Sequence, residues 1–564
     1  MLSRTTALAI SASLALVTSC GDDDASPTPD TGGPDRDAGA IDAGADDDAG
    51  PLDMGRPYDS GRHDSGPRDA GPPPPRTPLC DPEAPAPGPY PAPEAWPRNR
   101  GPGGPRATFT DAQLLESCAF LDGGELDVSD HHNLVTMYDG YLLMPWAPET
   151  GMGGLTFWDI SDPCNPVVAG TGFSAEMRET HSIGFSQLGG RWAVVNHLHE
   201  WFMRDGAGIE FWDLSDTSNP RPVSRLGLEG GVYPDSYSRV TLSVFWQSPY
   251  VFVTGSDNGL YVVDAVDPRV PVPLLRYGFE PVLRAGQVQV VGNLLMVSPA
   301  EGPRTVLLDV SDPESPQPIP GGDFTVTDAT GEPRDSYFST MSGGYVYYAR
   351  KESGGGVIVY DIHDPSNPTY AGDIRSDGNG GYVFVHEGVA FVGEGSFATA
   401  YDVSNLPDIT EIARFHLTGD LDTITPIGNV VVLSVDADAN PDQGSAIAPF
   451  RATPDSVPPV VTWAWPADGA TVPITSRFGV TFSELVDVAS AWDGSVRLYE
   501  TGTDPDVTRV AGVVSTQETI VNFVPRCPLR PATGYTLEIP AGGIVDFTGN
   551  PIAEAFTATF TTTE

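Results

Sequence analysis

Six short segments of the chain repeat one pattern, in which an apolar run is closed by an aspartate. They read Gly154-Leu-Thr-Phe-Trp-Asp159-Ile-Ser-Asp-Pro163, Gly208-Ile-Glu-Phe-Trp-Asp213-Leu-Ser-Asp216, Gly259-Leu-Tyr-Val-Val-Asp264-Ala-Val-Asp-Pro268, Arg304-Thr-Val-Leu-Leu-Asp309-Val-Ser-Asp-Pro313, Gly356-Val-Ile-Val-Tyr-Asp361-Ile-His-Asp-Pro365 and Phe397-Ala-Thr-Ala-Tyr-Asp402-Val-Ser-Asn405. Branched and aromatic residues favour a strand, and the Asp and Pro that follow favour a turn. The closing aspartates are 54, 51, 45, 52 and 41 residues apart.

A second pair of strands is predicted before each closing aspartate. Gln287-Val-Gln-Val-Val-Gly292-Asn-Leu-Leu-Met296 and Tyr382-Val-Phe-Val-His-Glu-Gly388-Val-Ala-Phe391 are examples, each with a glycine turn between two apolar runs. Four strands in every 40 to 50 residues is the spacing of a β-propeller blade. The 63 glycines and 56 prolines of the 564 residues also disfavour long helices. The sequence therefore predicts an all-β fold.

These repeats resemble the LVIVD-repeat family over about Asn133 to Phe450. The shared features are a strand of the form Val-x-Val-x-Gly and a later strand ending in Val/Trp/Tyr-Asp-hydrophobic-Ser-Asp-Pro. A seventh pair, Thr423 to Leu433 and Ser445 to Phe450, keeps the Gly428 strand and has lost the aspartate. The resemblance implies a seven-bladed propeller over residues 106–453, with six or eight blades as the alternatives.

One strand-like segment stands before the first repeat and has no blade of its own. Leu115-Glu-Ser-Cys-Ala-Phe-Leu-Asp-Gly123 is similar to the strand that follows the aspartate in other repeats. We expect it to close the ring by pairing into the seventh blade, which removes an open sheet edge. After Cys20 four cysteines remain, which allows two disulfides in three connectivities. The ring closure would place Cys118 and Cys164 on neighbouring blades, so this pair is preferred.

The C-terminal segment, residues 458–564, begins after Pro458-Pro459. It resembles the SbsA-type bacterial Ig-like family through Pro466-Ala-Asp-Gly-Ala470, Val480-Thr-Phe-Ser-Glu484, Phe523-Val-Pro525, Leu529-Arg-Pro-Ala-Thr-Gly-Tyr535, Asp546-Phe-Thr-Gly-Asn550 and Phe560-Thr-Thr562. Alternation in Tyr535-Thr-Leu-Glu-Ile539 is typical of one strand of a β-sandwich. The resemblance implies a display or spacer module without catalysis.

The first residues have the pattern of an export signal. Arg4 precedes an apolar run from Ala7 to Val17, and small residues lead to Cys20. This resembles a bacterial lipobox, which implies a signal peptide over residues 1–19 and lipidation of Cys20. Acyl chains would anchor the protein to a membrane, and Gly21 after the cysteine gives no signal for inner-membrane retention. The expected location is the outer membrane or cell surface.

Residues 20–105 are rich in Asp, Ala, Gly and Pro and have little apolar surface to bury. Repelling charge and polyproline stiffness predict a disordered stalk. The whole chain carries a formal net charge of −46, and Lys351 is its single lysine. This charge excludes nucleic acid as a partner, and it leaves the lipid anchor as the contact with the membrane.

The sequence contains no nucleophile elbow, zinc-protease helix or phosphate-binding glycine loop. One pattern suggests a metal site: on a strand, His197 and His199 share a face, and His181 or Glu200 would supply a third ligand. The alternative is that these imidazoles contact solvent or a backbone carbonyl.

A second pattern suggests calcium as a cofactor. Oxygen-bearing side chains alternate at Asp436, Asp438, Asn440 and Asp442, as in calcium loops. Pro441 stands where such loops need a glycine, so an acidic solvated turn is the alternative. No cofactor is required by the rest of the sequence.

A third set comes from aligning the first strand of every blade. The residues just before these strands should gather at one mouth of the central channel, where propellers commonly bind ligands. The candidates are His132, Asn133, His181, Tyr237, Arg239, Arg284, Asp335, Tyr337 and Asp422. A polar rim without a ligand is the alternative.

The function that we expect from these patterns is non-enzymatic recognition at the cell envelope. The propeller would bind an envelope or extracellular protein or glycan through its variable loops. The alternative is a propeller hydrolase or lyase that uses histidine and carboxylates at the channel mouth. That alternative requires at least two of His132, His181, Asp335 and Asp422 to converge.

Overall fold

A computed structural model of the protein describes residues 78–92, 100–123, 134–147, 152–196, 208–230, 241–351, 354–436 and 443–564. All of them belong to one compact unit, Pro72–Glu564. Helix within these ranges is limited to α1 (Pro505–Thr508) and two 3-10 turns, Asp111–Gln113 and Val488–Ser490. The predicted all-β class is confirmed. Among the described residues no helix has both the length and the apolar character needed to cross a bilayer.

The strands of the first part of the chain are short and follow one another in regular groups. In chain order they are β1 (Ala119–Leu121), β2 (Thr136–Tyr138), β3 (Tyr141–Trp146), β4 (Gly153–Asp159), β5 (Val167–Ser174), β6 (Ile183–Ser186), β7 (Trp192–Asn196), β8 (Gly208–Asp213), β9 (Arg221–Gly227), β10 (Ser243–Gln247), β11 (Tyr250–Thr254), β12 (Leu260–Asp264), β13 (Val272–Tyr277), β14 (Ala285–Val291), β15 (Leu294–Pro299), β16 (Arg304–Asp309), β17 (Gln317–Thr325), β18 (Ser336–Ser342), β19 (Tyr345–Arg350), β20 (Gly356–Asp361), β21 (Thr369–Arg375), β22 (Val383–His386), β23 (Val389–Gly393), β24 (Ala398–Asp402), β25 (Thr410–Phe415), β26 (Thr423–Ile427), β27 (Val430–Ser434) and β28 (Ser445–Pro449).

These strands form seven antiparallel four-stranded sheets, and each sheet is one blade. Blades 1 to 6 consist of consecutive strands, from β2–β5 to β22–β25, and blade 7 has the order β1-β28-β27-β26. The first strands of successive blades contact one another, as β6 with β10 and β22 with β26 do, so they line the axis of the ring. The predicted seven-bladed propeller is confirmed.

The repeated aspartate ends the third strand of a blade by capping the turn that follows. Asp159 Oδ1 accepts hydrogen bonds from the backbone and side chain of Ser161, at 2.9 and 2.7 Å. Asp213, Asp264, Asp309, Asp361 and Asp402 each accept the equivalent backbone bond two residues later. A local bond of this kind offers the backbone a turn in place of a longer strand, which is why the motif recurs at this position.

The ring is closed by pairing the N-terminal strand with the last strand of the propeller. In this antiparallel pair Ala119 lies opposite Ile447, and Leu121 lies opposite Ser445. The disulfide Cys118–Cys164 then joins blade 7 to blade 1. The structure therefore contains both the predicted strand pairing and the preferred cysteine pair.

The C-terminal residues form a β-sandwich. Its strands are β29 (Val461–Trp465), β30 (Ala470–Val472), β31 (Phe478–Phe482), β32 (Arg497–Glu500), β33 (Gly512–Gln517), β34 (Ile520–Pro525), β35 (Gly534–Ile539) and β36 (Phe556–Thr562). They make two sheets, β29-β31-β34-β33 and β30-β36-β35-β32. Phe478, Phe523 and Phe560 are buried in the common core. This arrangement is the Ig-like fold that the sequence predicts.

Part of the segment that the sequence assigns to the stalk packs against the sandwich. The second disulfide joins Cys80 to Cys527. Tyr90 is buried, and its hydroxyl donates to the carbonyl of Leu498 at 3.1 Å. Arg497 and Arg509 lie over the Tyr90 ring. Residues 1–77, which hold the predicted signal peptide and Cys20, lie outside the described residues.

The sandwich covers one face of the propeller, which we call the sandwich face. The hairpin between the first and second strands of every blade reaches it. The contacts are Gly140 N to Asp487 Oδ2, Gln187 Nε2 to Ala491 O, Ser248 N to Ser515 Oγ, Gly292 N to Asn522 Oδ1, Gly343 N to Thr481 Oγ1, Glu387 N to Ser483 O, and Gly428 against Thr548.

Close approach of the sandwich to the hairpin of blade 4 requires a glycine. Gly292 has a φ of +56°, and a β-carbon there would collide with the carbonyl oxygen of Trp465. Only glycine adopts this backbone region without strain and leaves the space open. Gly292 thus allows the sandwich to lie directly on the backbone of this hairpin.

The ring closure gives a first prediction. Replacing both Cys118 and Cys164 by serine removes the covalent link between blade 7 and blade 1. Because a cross-link removes loop entropy from the unfolded chain, the double variant should lose about 2–4 kcal/mol of stability. Chemical denaturation followed by tryptophan fluorescence measures this loss. Equal unfolding midpoints for the variant and the wild type under oxidising conditions would contradict a stabilising role.

Candidate functional site

The opposite face of the propeller carries the connections between blades, and we call it the loop face. Since neighbouring strands are antiparallel, the connection that enters a first strand lies at the end opposite to its hairpin. On the sandwich face six of the seven hairpins have two-residue turns, such as Gly292-Asn293, and the turn of blade 2 has five residues, 187–191. On the loop face the fully described connections are longer: 175–182, 278–284, 326–335, 376–382 and 416–422.

A buried hydrogen-bonded chain closes the channel at the loop face. His181 Nδ1 lies 2.8 Å from the Tyr382 hydroxyl, and His181 Nε2 lies 2.9 Å from Glu179 Oε1. Arg178 donates to the other oxygen of Glu179 at 2.9 Å. All four residues are at most 4% exposed. Both ring nitrogens of His181 are therefore engaged by protein groups.

This chain of hydrogen-bonded side chains crosses the axis of the ring. His181 precedes β6 of blade 2, and Tyr382 precedes β22 of blade 6, so the two residues belong to blades that are not neighbours. Phe338 of blade 5 stacks on Tyr382 with 3.9 Å between ring centroids, and on His181 with 5.6 Å. Burial holds the pKa of Tyr382 well above its usual range, aided by the nearby Tyr337 and by Asp436, Asp422 and Glu179. The phenol is therefore neutral and plugs the channel.

The other described candidates surround this plug. Tyr337 is buried beside Phe338, and the ammonium of Lys351 lies 4.6 Å from the centre of its ring. Asp422 is buried, and its carbonyl accepts from Tyr382 N at 2.8 Å. Arg284 forms an ion pair with Glu301 at 2.8 Å. Asp335 accepts a bond from Lys351 N through its carbonyl.

Several predicted residues cannot be placed. His132, Asn133, Tyr237 and Arg239 lie outside the described residues, and so do His197 and His199. Of the calcium pattern only Asp436 is described, where its amide donates to the carbonyl of Asp420. Asp438, Asn440 and Asp442 fall in the range 437–442, which is not described. Both metal hypotheses remain predictions.

An open groove lies on the loop face between blades 6 and 7. Its volume is about 500 Å³. The lining residues are Ser117, Phe120, Ser396, His416, Leu417, Thr418, Gly419 and Gln443. Phe120 is 44% exposed, although it is a large apolar side chain. His416 is exposed and lies near Phe397, which Arg414 covers. The sequence did not indicate this groove, because its residues come from three separate connections and from β1.

The other end of the channel is filled by the sandwich. The turn between β33 and β34 enters the ring, where Gln517 Nε2 donates to the carbonyl of Val244 at 3.1 Å. Glu518 Oε2 accepts from Gln289 Nε2 at 2.6 Å and from Thr340 at 3.2 Å. A small apolar cavity remains, and Glu518 lines it together with Ile183 and Phe384. Burial raises the pKa of Glu518 to about 7, while the bonds from Thr340 and Gln289 oppose this rise.

A group with metal-binding side chains occurs where the sequence predicted none. His386, Asp455 and Glu484 lie at the boundary of blade 6, the linker and the sandwich, and they offer ligand atoms within 4.8 Å of one another. Burial lowers the pKa of His386 to about 4 and raises that of Glu484 to about 10. In the sequence these residues are separated by up to 98 positions, from 386 to 484. Only the docking of the two domains brings them together.

Comparison with protein families supports both parts of the fold. Residues 455–562 match the family described as bacterial Ig-like domain. Residues 243–277 and 340–375 match the LVIVD repeat. The chain thus contains LVIVD repeats and a C-terminal bacterial Ig-like domain, as its motifs predicted. No curated protein matches the sequence.

Solved structures with a similar chain path include three proteins of different description. BamB from Moraxella catarrhalis is 11% identical, with 56% of this chain and 92% of that chain covered and a TM-score of 0.36. The periplasmic gluconolactonase PpgL of Pseudomonas aeruginosa is 9% identical, with 56% and 88% covered and a TM-score of 0.40. A hypothetical selenium-binding protein from Sulfolobus tokodaii is 11% identical, with 59% and 96% covered and a TM-score of 0.41. Similarity of this size carries no information on activity.

The position of Glu518 gives a prediction on pH. Its pKa in the folded protein, about 7, is above the ordinary value of 4.5. The folded state therefore binds the proton more tightly, and the stability that this provides is present below about pH 4.5 and is lost as the pH rises through 7. Relative to Glu518→Gln, the wild type should lose up to about 3 kcal/mol of stability over that range. Denaturation curves of both proteins at pH 5 and pH 8 measure this loss of stability. If the stabilities of the two proteins differ by the same amount at both pH values, the raised pKa of Glu518 is contradicted.

Proposed function

We propose that this propeller is a non-enzymatic recognition scaffold at the bacterial cell envelope, and that it binds a protein or glycan through its loop face. The observation that carries the proposal is the asymmetry of the ring. The sandwich occupies the hairpins of all seven blades. A partner that approaches the ring along its axis therefore meets the loop face, where the longer connections are.

The groove between blades 6 and 7 supplies a surface with suitable chemistry. Phe120 offers an apolar ring, while His416, Thr418 and the backbone around Gly419 offer hydrogen-bonding groups. Aromatic area combined with a few polar groups suits a sugar ring or an extended peptide. The net charge of −46 favours neutral or cationic partners over anionic ones.

The proposed cellular location rests on the sequence. The apolar run before Cys20 and the charged, proline-rich segment after it support a lipid-anchored protein with a spacer. A bacterial Ig-like domain agrees with a place in the envelope. Under this proposal the lipid anchor is the contact with the outer membrane or cell surface, and the propeller faces its partner.

The described geometry does not favour the hydrolase or lyase alternative. His181 would be its natural base, yet Tyr382 and Glu179 engage both ring nitrogens in a buried site. A base that is to abstract a proton from substrate needs a nitrogen within hydrogen-bonding reach of it.

Binding by paired histidine variants tests the proposal. His416 lies in the groove, whereas His363 is an exposed histidine near Trp463 of the sandwich. We expect the full-length protein to bind a member of a panel of muropeptides, envelope oligosaccharides and extended peptides. His416→Ala and Phe120→Ala should each weaken that binding at least about tenfold, since each loses a contact worth roughly 1.4 kcal/mol or more.

The control is His363→Ala, which should bind like the wild type. Equal affinities for His416→Ala, Phe120→Ala and the wild type would place the binding surface elsewhere. Turnover of a panel member would contradict the non-enzymatic role.

A further inference from the structure

The boundary between propeller and sandwich contains side chains that suit a divalent metal ion. His386 ends β22 of blade 6, Asp455 lies in the linker, and Glu484 follows β31 of the sandwich. His386 is 3% and Glu484 1% exposed, and Asp455 is partly buried. We propose that these three residues bind one divalent transition-metal ion, such as Zn²⁺, which joins the propeller to the sandwich. This inference is independent of the proposed function.

The first argument is the unmet bonding capacity of the group. Glu484 Oε1 and Asp455 Oδ2 are buried and have no hydrogen-bond partner among the described residues. A buried polar atom without a partner destabilises the folded state, because it has lost its hydrogen bonds to water. Two such atoms on neighbouring residues are stabilised when a cation binds between them. A cation satisfies carboxylate oxygens and a neutral imidazole nitrogen together.

The second argument is the geometry. His386 Nδ1 lies 3.7 Å from Glu484 Oε2, and the ligand atoms of the three residues lie within 4.8 Å of one another. Ligands bound to one Zn²⁺ at about 2.0–2.2 Å are roughly 3.4 Å apart in a tetrahedron. Side-chain rotations that move the ligand atoms by about 1 Å would therefore bring all three to bonding distance from one Zn²⁺. Water would occupy the fourth coordination position.

The surroundings of the group also match those of a metal site. The other ring nitrogen of His386, Nε2, lies 3.6 Å from Glu387 Oε2, and Arg451 pairs with that carboxylate. A histidine that binds metal through one nitrogen usually directs the other toward a carboxylate or carbonyl. Glu387 is well placed for this, and its amide is already bonded to Ser483 of the sandwich.

The donor set decides which metal is expected. One imidazole with two carboxylates suits Zn²⁺ and other first-row divalent ions, whereas Ca²⁺ prefers oxygen ligands alone. Since the ligands come from a blade, the linker and the sandwich, the ion would act as a clamp between the domains. The sandwich would then be held on the propeller by metal as well as by hydrogen bonds.

Metal titration of the full-length protein tests the proposal. After removal of metal with a chelator, the wild type should bind one equivalent of Zn²⁺, measured by elemental analysis. Zn²⁺ at about 100 times its Kd should raise the melting temperature by about 2–3 °C, and Ca²⁺ should not. Co²⁺ in place of Zn²⁺ should give visible absorption bands of a site with nitrogen and oxygen ligands.

Variants assign the site. His386→Gln and Asp455→Asn should weaken Zn²⁺ binding at least about 100-fold and remove the thermal shift, while His363→Gln, at an exposed histidine, should bind Zn²⁺ like the wild type. Asp455 is partly exposed in the linker, so Asp455→Asn keeps the test valid if His386→Gln does not fold. A wild type without stoichiometric metal would overturn the proposal. So would undiminished binding in Asp455→Asn, which would point to the predicted site at His197 and His199.

Discussion

Hydrogen bonds between the hairpins of the propeller and the sandwich determine which surface of this protein is open. Asp487 of the sandwich accepts from the amides of Asp139 and Gly140 at 3.0 and 2.8 Å, and Asn522 accepts from Gly292 at 2.7 Å. Tight turns at the hairpins leave these amides unpaired within their own blade, so a second domain is needed to satisfy them when they are buried. The same contacts that seal one face leave the other for a partner.

The contact between the propeller and the sandwich contains buried charged groups as well as apolar side chains. Arg477 of the sandwich is buried, donates to Gln247 at 2.7 Å and lies over the ring of Tyr250. Burial lowers the pKa of Arg477 to about 10 and raises that of Asp487 to about 7. Such groups are tolerated only in one arrangement that supplies their partners. They therefore favour a single orientation of the sandwich on the ring over many similar apolar ones.

The parts of this structure that follow from local chemistry were predicted from the sequence. Each closing aspartate caps a turn two residues away, and the spacing of these aspartates predicted the propeller blades. The seventh blade and the preferred pairing of Cys118 with Cys164 came from the expected ring closure, with other blade counts and cysteine pairings left open. The features that depend on docking were not predicted. Three such features join residues that are far apart in the chain: the insertion of Glu518 into the channel, the hydrogen bond between Tyr90 and Leu498, and the group at His386. The periodicity of the sequence does not predict such contacts.

The loop face likewise combines features that the sequence predicted with features that it did not. Alignment of first strands placed His181 next to the channel, but its partners could not be read from the pattern. Tyr382 belongs to a blade on the other side of the ring. The φ of Glu179 is +23°, and no local sequence motif predicts this value. The groove at Phe120 likewise depends on the ring closure, because β1 becomes the outer strand of blade 7.

The measurement that tests the central claim most directly is amide hydrogen exchange at the hairpins. If the sandwich seals this face, the amides of Gly140, Gly292 and Gly343 should exchange as slowly as those of the first strands of the blades, because all three donate to sandwich side chains. Exchange at the rate of exposed turns would show that the sandwich leaves the ring freely. Both faces of the propeller would then be open to partners, contrary to this account.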